Sequence, residues 1–407
     1  MLALGRRLVA SSWAPWALLI ISLMVHVLVT LLGADPFKMV DLQVYVDGAG
    51  HLTDGTLYDF LSGPLELPFT YPPFSALIFR PLYWLPWTVT RVLWEVGMVA
   101  ALPALIYLTL RLLGRVGPGA HRPVESLTGI LVTGTAVTLW LEPVRTTFNY
   151  GQINLFLAVL VLGGAASRRN WLAGAVVGIA AGIKLVPAIS GLYYLLQRRF
   201  AAVAWSAGIF AATIGLMALI IPRGTRLYFT QLILDPSRTG PVFSAINQSW
   251  RGALARFAGN DVSTSWLLAC AGTAAVGLWA AWAAGRAGDR TAALLAVQYL
   301  GLLVSPISWS HHWIWVVPLL VWGLFGPLRT RSAVKILIGA WTVAAFSYLV
   351  PVLTALQGPD PVASRPGWQS FAGALYAILA VATLVVIAVE NELAHRYRPA
   401  EDRQAVG

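Results

Sequence analysis

Apolar runs about twenty residues long recur from Trp16 almost to the C-terminus. A helix needs about 20 such residues to cross the hydrocarbon core of a bilayer, so these runs constrain the chain more than any other feature. Charged residues make up only 11% of the 407 and hydrophobic ones 58%, whereas a soluble domain carries roughly a quarter charged residues. A soluble fold is excluded. The runs use up the length, so residues 1–407 read as a single integral membrane domain, all-α and polytopic.

The run Trp16–Leu32 follows Arg6 and Arg7 but exceeds a signal-peptide core and lacks a small-residue cleavage site, so it reads as a retained first helix. Cys270, the only cysteine, stands in an apolar run, which excludes disulfides and thiolate metal sites. The net charge of +11 comes from arginines scattered between apolar runs. That pattern argues against nucleic acid as a partner and for the positive-inside bias of membrane loops.

Applied loop by loop from a cytoplasmic N-terminus, that bias gives about twelve membrane passages with both termini cytoplasmic. Residues 34–90 form a first large periplasmic segment, with a surface helix expected at Val40–Leu52 and a proline-interrupted interfacial or re-entrant piece at Phe74–Leu85. Val92–Leu113 runs inward to Arg111, Arg115 and Arg122, Glu125–Leu141 returns, and Ile153–Ala166 delivers Arg168 and Arg169 to the inside. The next basic pair, Arg198 and Arg199, lies beyond Trp171–Leu196, whose middle holds Gly182, Lys184 and Pro187. Two inside ends around one hydrophobic stretch predict a hairpin of two short helices, and a broken helix at membrane depth must line a cavity.

Residues 222–265 form a second large periplasmic segment between the spans Ala201–Ile221 and Trp266–Ala284. Ala292–Val304, Trp313–Phe325, Val334–Val350 and Phe371–Val389 then lead to a cytoplasmic tail, 391–407. The second segment breaks the charge rule: Arg223, Arg226, Arg238, Arg251 and Arg256 face only Asp235 and Asp261. An excess of cations on the outer side suggests anions held there.

Under this topology four polar clusters share the periplasmic side: Asp41 with Tyr45, RTTFNYGQIN at Arg145–Asn154, NQSWRG at Asn247–Gly252, and SPISWSHHWIW at Ser305–Trp315. Convergence of distant stretches on one face is what an interfacial active site requires. Asp41 sits between Val40 and Leu42, apolar company that raises a carboxyl pKa and suits proton abstraction. The bland alternative is a solvated juxtamembrane acid. Lys184 is the strongest signal on residue chemistry alone, because an ammonium in a membrane hairpin marks a functional site by default. His311 and His312 point about 100° apart on a helix and are poor partners on one metal. No carboxylate or cysteine accompanies them, so contact with phosphate or sugar is the better functional reading, against plain packing. Arg251, between Trp250 and Gly252, suits bidentate phosphate binding or a bare rim. The chain has no P-loop, HExxH or dinucleotide fingerprint, so nucleotide-driven chemistry finds no support.

With FTYPPF at Phe69–Phe74, DLQVY at Asp41–Tyr45, GIKLVP at Gly182–Pro187 and the motifs NYGQIN, NQSWRG and SPISWSHHW, the chain resembles family 87 of the GT-C glycosyltransferases, and within it the polyprenyl-phosphate-mannose-dependent alpha-1,2-mannosyltransferases. The resemblance implies a GT-C-type fold with short interfacial helices in the plasma membrane. It also implies inverting transfer of mannose from a lipid-linked donor to a mannosyl glycolipid, a phosphatidylinositol mannoside, on the periplasmic face. The acid of the first outer segment is the catalytic base in such enzymes, which here is Asp41. One carboxylate suffices, since a lipid phosphate leaves as a stabilised anion, whereas a glycosidase must also protonate its leaving group.

Donor phosphate and sugar contacts are expected from His311, His312, Lys184, Arg251 and Arg145. Acceptor and sugar contacts are expected from Tyr45, Tyr71, Asn149, Gln152, Asn154, Asn247, Gln248 and Trp309. No cofactor, no metal and no obligate protein partner is expected; membrane lipids surround the chain. Within the family, a lipomannan-branching mannosyltransferase or an arabinofuranosyltransferase stays open. Outside it, a transporter or flippase is the main rival, because broken helices and a buried lysine occur there too, and a non-catalytic scaffold is the second.

Overall fold

The computed structural model describes residues 11–31, 39–118, 120, 123–260, 262–358 and 366–397. Arg6, Arg7, Arg122, Asp261, the start of the first outer segment at 34–38 and the tail residues 398–407 lie outside them. Four helices are long and apolar enough to cross a membrane, and two bent pairs raise the number to six; the other apolar helices among the described residues are shorter. Many large hydrophobic side chains face outward, Leu219 at 85% exposure, Ile336 at 73% and Leu268 at 71% among them. Exposed apolar surface on this scale marks contact with a membrane or a partner, and the long apolar helices point to the membrane.

The chain opens with α1 (Ala14–Leu31). A first connection follows, built of α2 (Val40–Gly50), a two-residue β-hairpin pairing β1 (Leu61–Ser62) with β2 (Leu67–Pro68), and α3 (Pro73–Tyr83). The surface helix and the short interfacial piece read from the sequence are α2 and α3. They touch closely: a Cβ on Gly48 would lie 2.4 Å from the Phe69 ring, and Tyr45 stacks on Phe79 at 4.5 Å. α4 (Trp87–Leu112) starts five residues before the expected span.

α5 (Leu127–Thr138) does not continue to Leu141 as one span. It breaks and turns 72° into α6 (Glu142–Tyr150), which delivers the NYGQIN turn to the first connection, before α7 (Asn154–Ala166) runs back. The hairpin read around Lys184 is present. α8 (Asn170–Ile183) ends at Lys184, whose backbone is extended, and a 3-10 turn at Val186–Ile189 leads into α9 (Ser190–Leu196). Its two feet meet, since Tyr194 Oη donates to Ala173 O (3.0 Å) and Arg199 Nε to Asn170 Oδ1 (2.9 Å).

α10 (Phe200–Ile220) fixes the hairpin's depth. Gly174, Gly178 and Gly182 repeat every four residues along α8, and a Cβ on the first two would come within 2.2 and 2.6 Å of the carbonyl oxygens of Ala202 and Ser206. Small residues at that spacing let helix backbones touch where lipid offers no hydrophobic drive to pack.

A second connection holds α11 (Pro222–Thr230), two 3-10 turns and α12 (Trp250–Ala258). Beyond it come α13 (Ser263–Arg286), α14 (Arg290–Val304), a 3-10 segment at Ser310–Trp315, and α15 (Val316–Phe325). The closing elements are α16 (Ser332–Phe346) with α17 (Leu349–Gln357), bent by 43°, then α18 (Gly367–Gly373) and α19 (Leu375–Arg396).

Candidate active site

The turn after α6 builds the site. Gly151 has φ +68°, and a Cβ there would fall 2.7 Å from Leu42 Cβ, so the turn lies directly against the first turn of α2. The Met39 N–H donates to Asn149 O at 2.6 Å, and Trp94 Nε1 of α4 donates to Gly151 O at 2.9 Å. This clamp brings Gln152 to Asp41.

Gln152 Nε2 donates to Asp41 Oδ2 (2.6 Å), while its Oε1 accepts from Lys184 Nζ (3.1 Å) and from the Tyr45 hydroxyl (3.0 Å). The orientation of the amide is dictated by its partners, a carboxylate that needs a donor and an ammonium that needs an acceptor. Lys184 Nζ also donates to Asn154 Oδ1 (3.0 Å) and stands 5.3 Å from the centroid of the Tyr71 ring. Asn154 Nδ2 donates in turn to His311 O (2.9 Å). One chain of hydrogen bonds therefore joins α2, the α6–α7 turn, the hairpin tip and the 3-10 segment of the histidines.

Above this floor lies a cavity of ≈ 690 Å³, within the roughly 300–1,000 Å³ of small-molecule sites. Asp41, Tyr71, Gln152, Lys184, Arg251, Trp309, His311 and His312 all line it. The carboxylate, the paired imidazoles and the NQSWRG arginine thus share a single cavity. Arg251 lies over the Trp266 ring at 5.2 Å, and the His311 and His312 rings meet edge to face at 4.8 Å. Neither ring nitrogen of His311 has a hydrogen-bond partner among the described residues, although both are buried. Leu65, Leu67, Ile233 and Leu234 add an apolar rim.

Burial pushes the Asp41 carboxyl up to about 6, against the opposing pull of the Gln152 hydrogen bond and the Lys184 charge. It is mostly ionised at neutral pH, with a proton affinity suited to a general base.

Arg145 departs from the sequence reading. Its guanidinium is bonded to His26 Nδ1 and Asn149 Oδ1, lies 5.3 Å from the Trp140 ring, and does not line the cavity. His26 is bonded in turn to Glu95. His26 thus bridges the Arg145 guanidinium and the Glu95 carboxyl group.

Five expected sugar contacts, Tyr45, Asn149, Asn154, Asn247 and Gln248, are also braces rather than lining groups. Tyr45 supports Gln152 from behind, bonding Tyr71 Oη at 3.1 Å, and Asn149 is shared between Arg145 and the start of α2. Asn247 is fully buried. Its Nδ2 donates to Val242 O and Pro306 O, and its Oδ1 accepts from the Ser249 and Ser308 amides. Gln248 donates its backbone N–H to Ser308 O and its Nε2 to Ala245 O. Asn154 accepts from Lys184 and does not line the cavity.

The sequence reading missed His26, Glu95 and Glu142. Glu142 is buried and accepts hydroxyl bonds from Thr146 and Tyr376, both at 2.8 Å. A lone titratable residue inside an apolar run was the available signal for His26 and Glu95.

An apolar, largely helical chain that sets a buried carboxylate beside Lys184 and Arg251 around a common cavity has the makings of a membrane-embedded transferase. Residues 69–306 match the model of glycosyltransferase family 87, and the chain belongs to that family. It is 40% identical, over 92% of its length and 91% of the relative's, to a polyprenol-phosphate-mannose-dependent alpha-(1-2)-phosphatidylinositol pentamannoside mannosyltransferase of Mycolicibacterium smegmatis. The Mycobacterium tuberculosis protein described in the same words is 39% identical over 94% and 88%. A second M. smegmatis protein, described as an alpha-(1-2)-phosphatidylinositol mannoside mannosyltransferase with the same donor dependence, is 32% identical over 92% and 89%. Among solved structures, ArnT from Cupriavidus metallidurans in the apo state aligns with 93% of this chain and 78% of its own at 16% identity and a TM-score of 0.39.

Proposed function

We propose that this protein transfers mannose from polyprenyl-phosphate-mannose to a phosphatidylinositol mannoside, forming an alpha-1,2 linkage with inversion. The observation that carries the reading is the Asp41–Gln152–Lys184 chain at the floor of a cavity that also holds Arg251, His311 and His312. The identity of about 40% to the pentamannoside enzymes, against 32% to the other relative, favours the longer acceptor.

Asp41 accepts the proton of an acceptor mannose hydroxyl as that oxygen attacks the anomeric carbon from the face opposite phosphate. The bond between that carbon and the phosphate oxygen breaks, and its electrons leave with the lipid phosphate. A beta-linked donor yields an alpha product. Lys184, Arg251 and a histidine nitrogen stabilise the departing anion, the term that contributes most in sites of this kind. The apolar rim at Leu65, Leu67, Ile233 and Leu234 suits a substrate whose charged head continues into hydrocarbon.

In this reading the chain has a GT-C-type arrangement of about twelve passages, cytoplasmic termini, and periplasmic segments at 34–90 and 222–265. Purified protein incubated with polyprenyl-phosphate-mannose and phosphatidylinositol mannosides of graded length tests it by product mass and linkage. A gain of one alpha-1,2-mannose is expected. Transfer of pentose only, or substrate flux across proteoliposomes without transfer, would overturn it.

A further inference from the structure

Three helices that begin beside the catalytic cavity end together in a second cavity. α7 runs from Asn154 to Ala166, α8 from the hairpin tip down to Asn170, and α4 from the Trp94 turn to Arg111. At 1.5 Å per residue, α7 alone puts about 20 Å between the two places.

The second cavity has a volume of ≈ 780 Å³. Arg111 at the end of α4, Arg168 and Arg169 between α7 and α8, and Arg290 at the start of α14 line it, with Leu108 and Leu172 on its walls. Among the described residues no Asp or Glu lines it. Arg290 is anchored, donating to Ala165 O at 2.6 Å, while Arg111, Arg168 and Arg169 are exposed. The bias toward cations on one side of a membrane accounts for arginines in these loops. It does not account for their convergence on one concave, leucine-walled space.

We infer that this cavity is a binding site for an anionic phospholipid, with the phosphodiester held by the arginines and the acyl chains against the leucines. Basic pockets between membrane helices are suited to such headgroups, and planar guanidinium groups match phosphate oxygens bidentately. A lipid is favoured over a free anion because the apolar walls continue the polar mouth. The site lies at the end opposite the sugar-transfer cavity, and the inference stands whatever that cavity's substrate is.

The test uses the full-length protein in vesicles of equal parts phosphatidylcholine and phosphatidylglycerol, extracted gently and weighed by native mass spectrometry. Wild type should retain phosphatidylglycerol in preference to phosphatidylcholine. The double variant Arg168→Gln, Arg169→Gln should lose that preference by about 30-fold, from roughly 1 kcal/mol for each cation near an anionic lipid surface. An unchanged preference in the double variant, or displacement of the lipid by millimolar inorganic phosphate alone, would overturn the assignment. If the double variant does not insert, a photoactivatable phosphatidylglycerol on wild type decides: label on the peptides holding Leu108 and Leu172 upholds the site, and label elsewhere ends it.

Discussion

The two long connections look alike in sequence, each rich in polar and aromatic residues between apolar spans, yet they spend their hydrogen bonds differently. At the cavity the first is tied into a network of side chains: Asp41 and Tyr45 bond Gln152 of the α6–α7 turn, Gln152 bonds Lys184 of the hairpin, and Tyr45 bonds Tyr71. In the second, Asn247 and Arg256 bond backbone. Asn247 bonds Val242, Pro306, Ser249 and Ser308, and Arg256 bonds the carbonyls of Ser244, Asn247 and Gly373. A side chain committed to backbone carbonyls and amides fixes a loop and has little left for a ligand. A network of ionisable and amide side chains around a cavity can exchange partners when a substrate arrives. In the proposed reaction the first connection therefore supplies the reacting carboxylate and the second mainly a scaffold, with Arg251 the residue of NQSWRG that lines the cavity.

That contrast breaks most sharply at Asp41. Asp41→Asn keeps the shape and the Gln152 contact but removes the base, and kcat should fall by about 10²–10⁴ with an unchanged melting temperature. Near-normal transfer by folded protein would remove Asp41 from the chemistry.

Lys184→Met should lower kcat by about 10², and it sharpens the comparison through pH. Below about 6 the Asp41 carboxyl keeps its proton and cannot accept another, so the rate should fall as pH drops through that value. The Lys184 charge holds this carboxyl lower than burial alone would, so the acid limb should move to higher pH in the variant. A limb that stays in place would separate Lys184 from Asp41.

Asn247→Ala should act the other way. Losing its four hydrogen bonds should cost about 2–4 kcal/mol of stability, read as a lower melting temperature, while kcat of the folded fraction stays within a few-fold. A loss in kcat as large as that of Asp41→Asn would make the second connection catalytic after all. The smallest effect is expected at Arg145. Arg145→Lys keeps the charge beside His26 and should change the donor KM by less than about twofold, because the guanidinium does not line the cavity; a large rise in KM would restore the phosphate contact there.

Residue chemistry made Asp41 and Lys184 legible, since a carboxylate in apolar company and an ammonium in a hydrophobic hairpin are costly unless used. The hairpin itself followed from two basic pairs around one apolar stretch. The bend between α5 and α6 was not legible, because Leu139–Leu141 is as apolar as a continuing span and only tertiary contacts turn the chain there. Nor was the difference between Gln152, which lines the cavity, and Asn149 or Asn247, which brace it.

The amino-acid order alone determined that this protein lives in a membrane, where its apolar runs lie, and which side chains are too expensive to bury without purpose, because transfer free energy depends on residue type and run length. The direction in which each polar side chain points was decided only by the packed chain. Gly151 against Leu42 and the glycines of α8 against α10 set backbone positions to within ångströms, and hydrogen bonds a few ångströms long turn such positions into either a site or a brace.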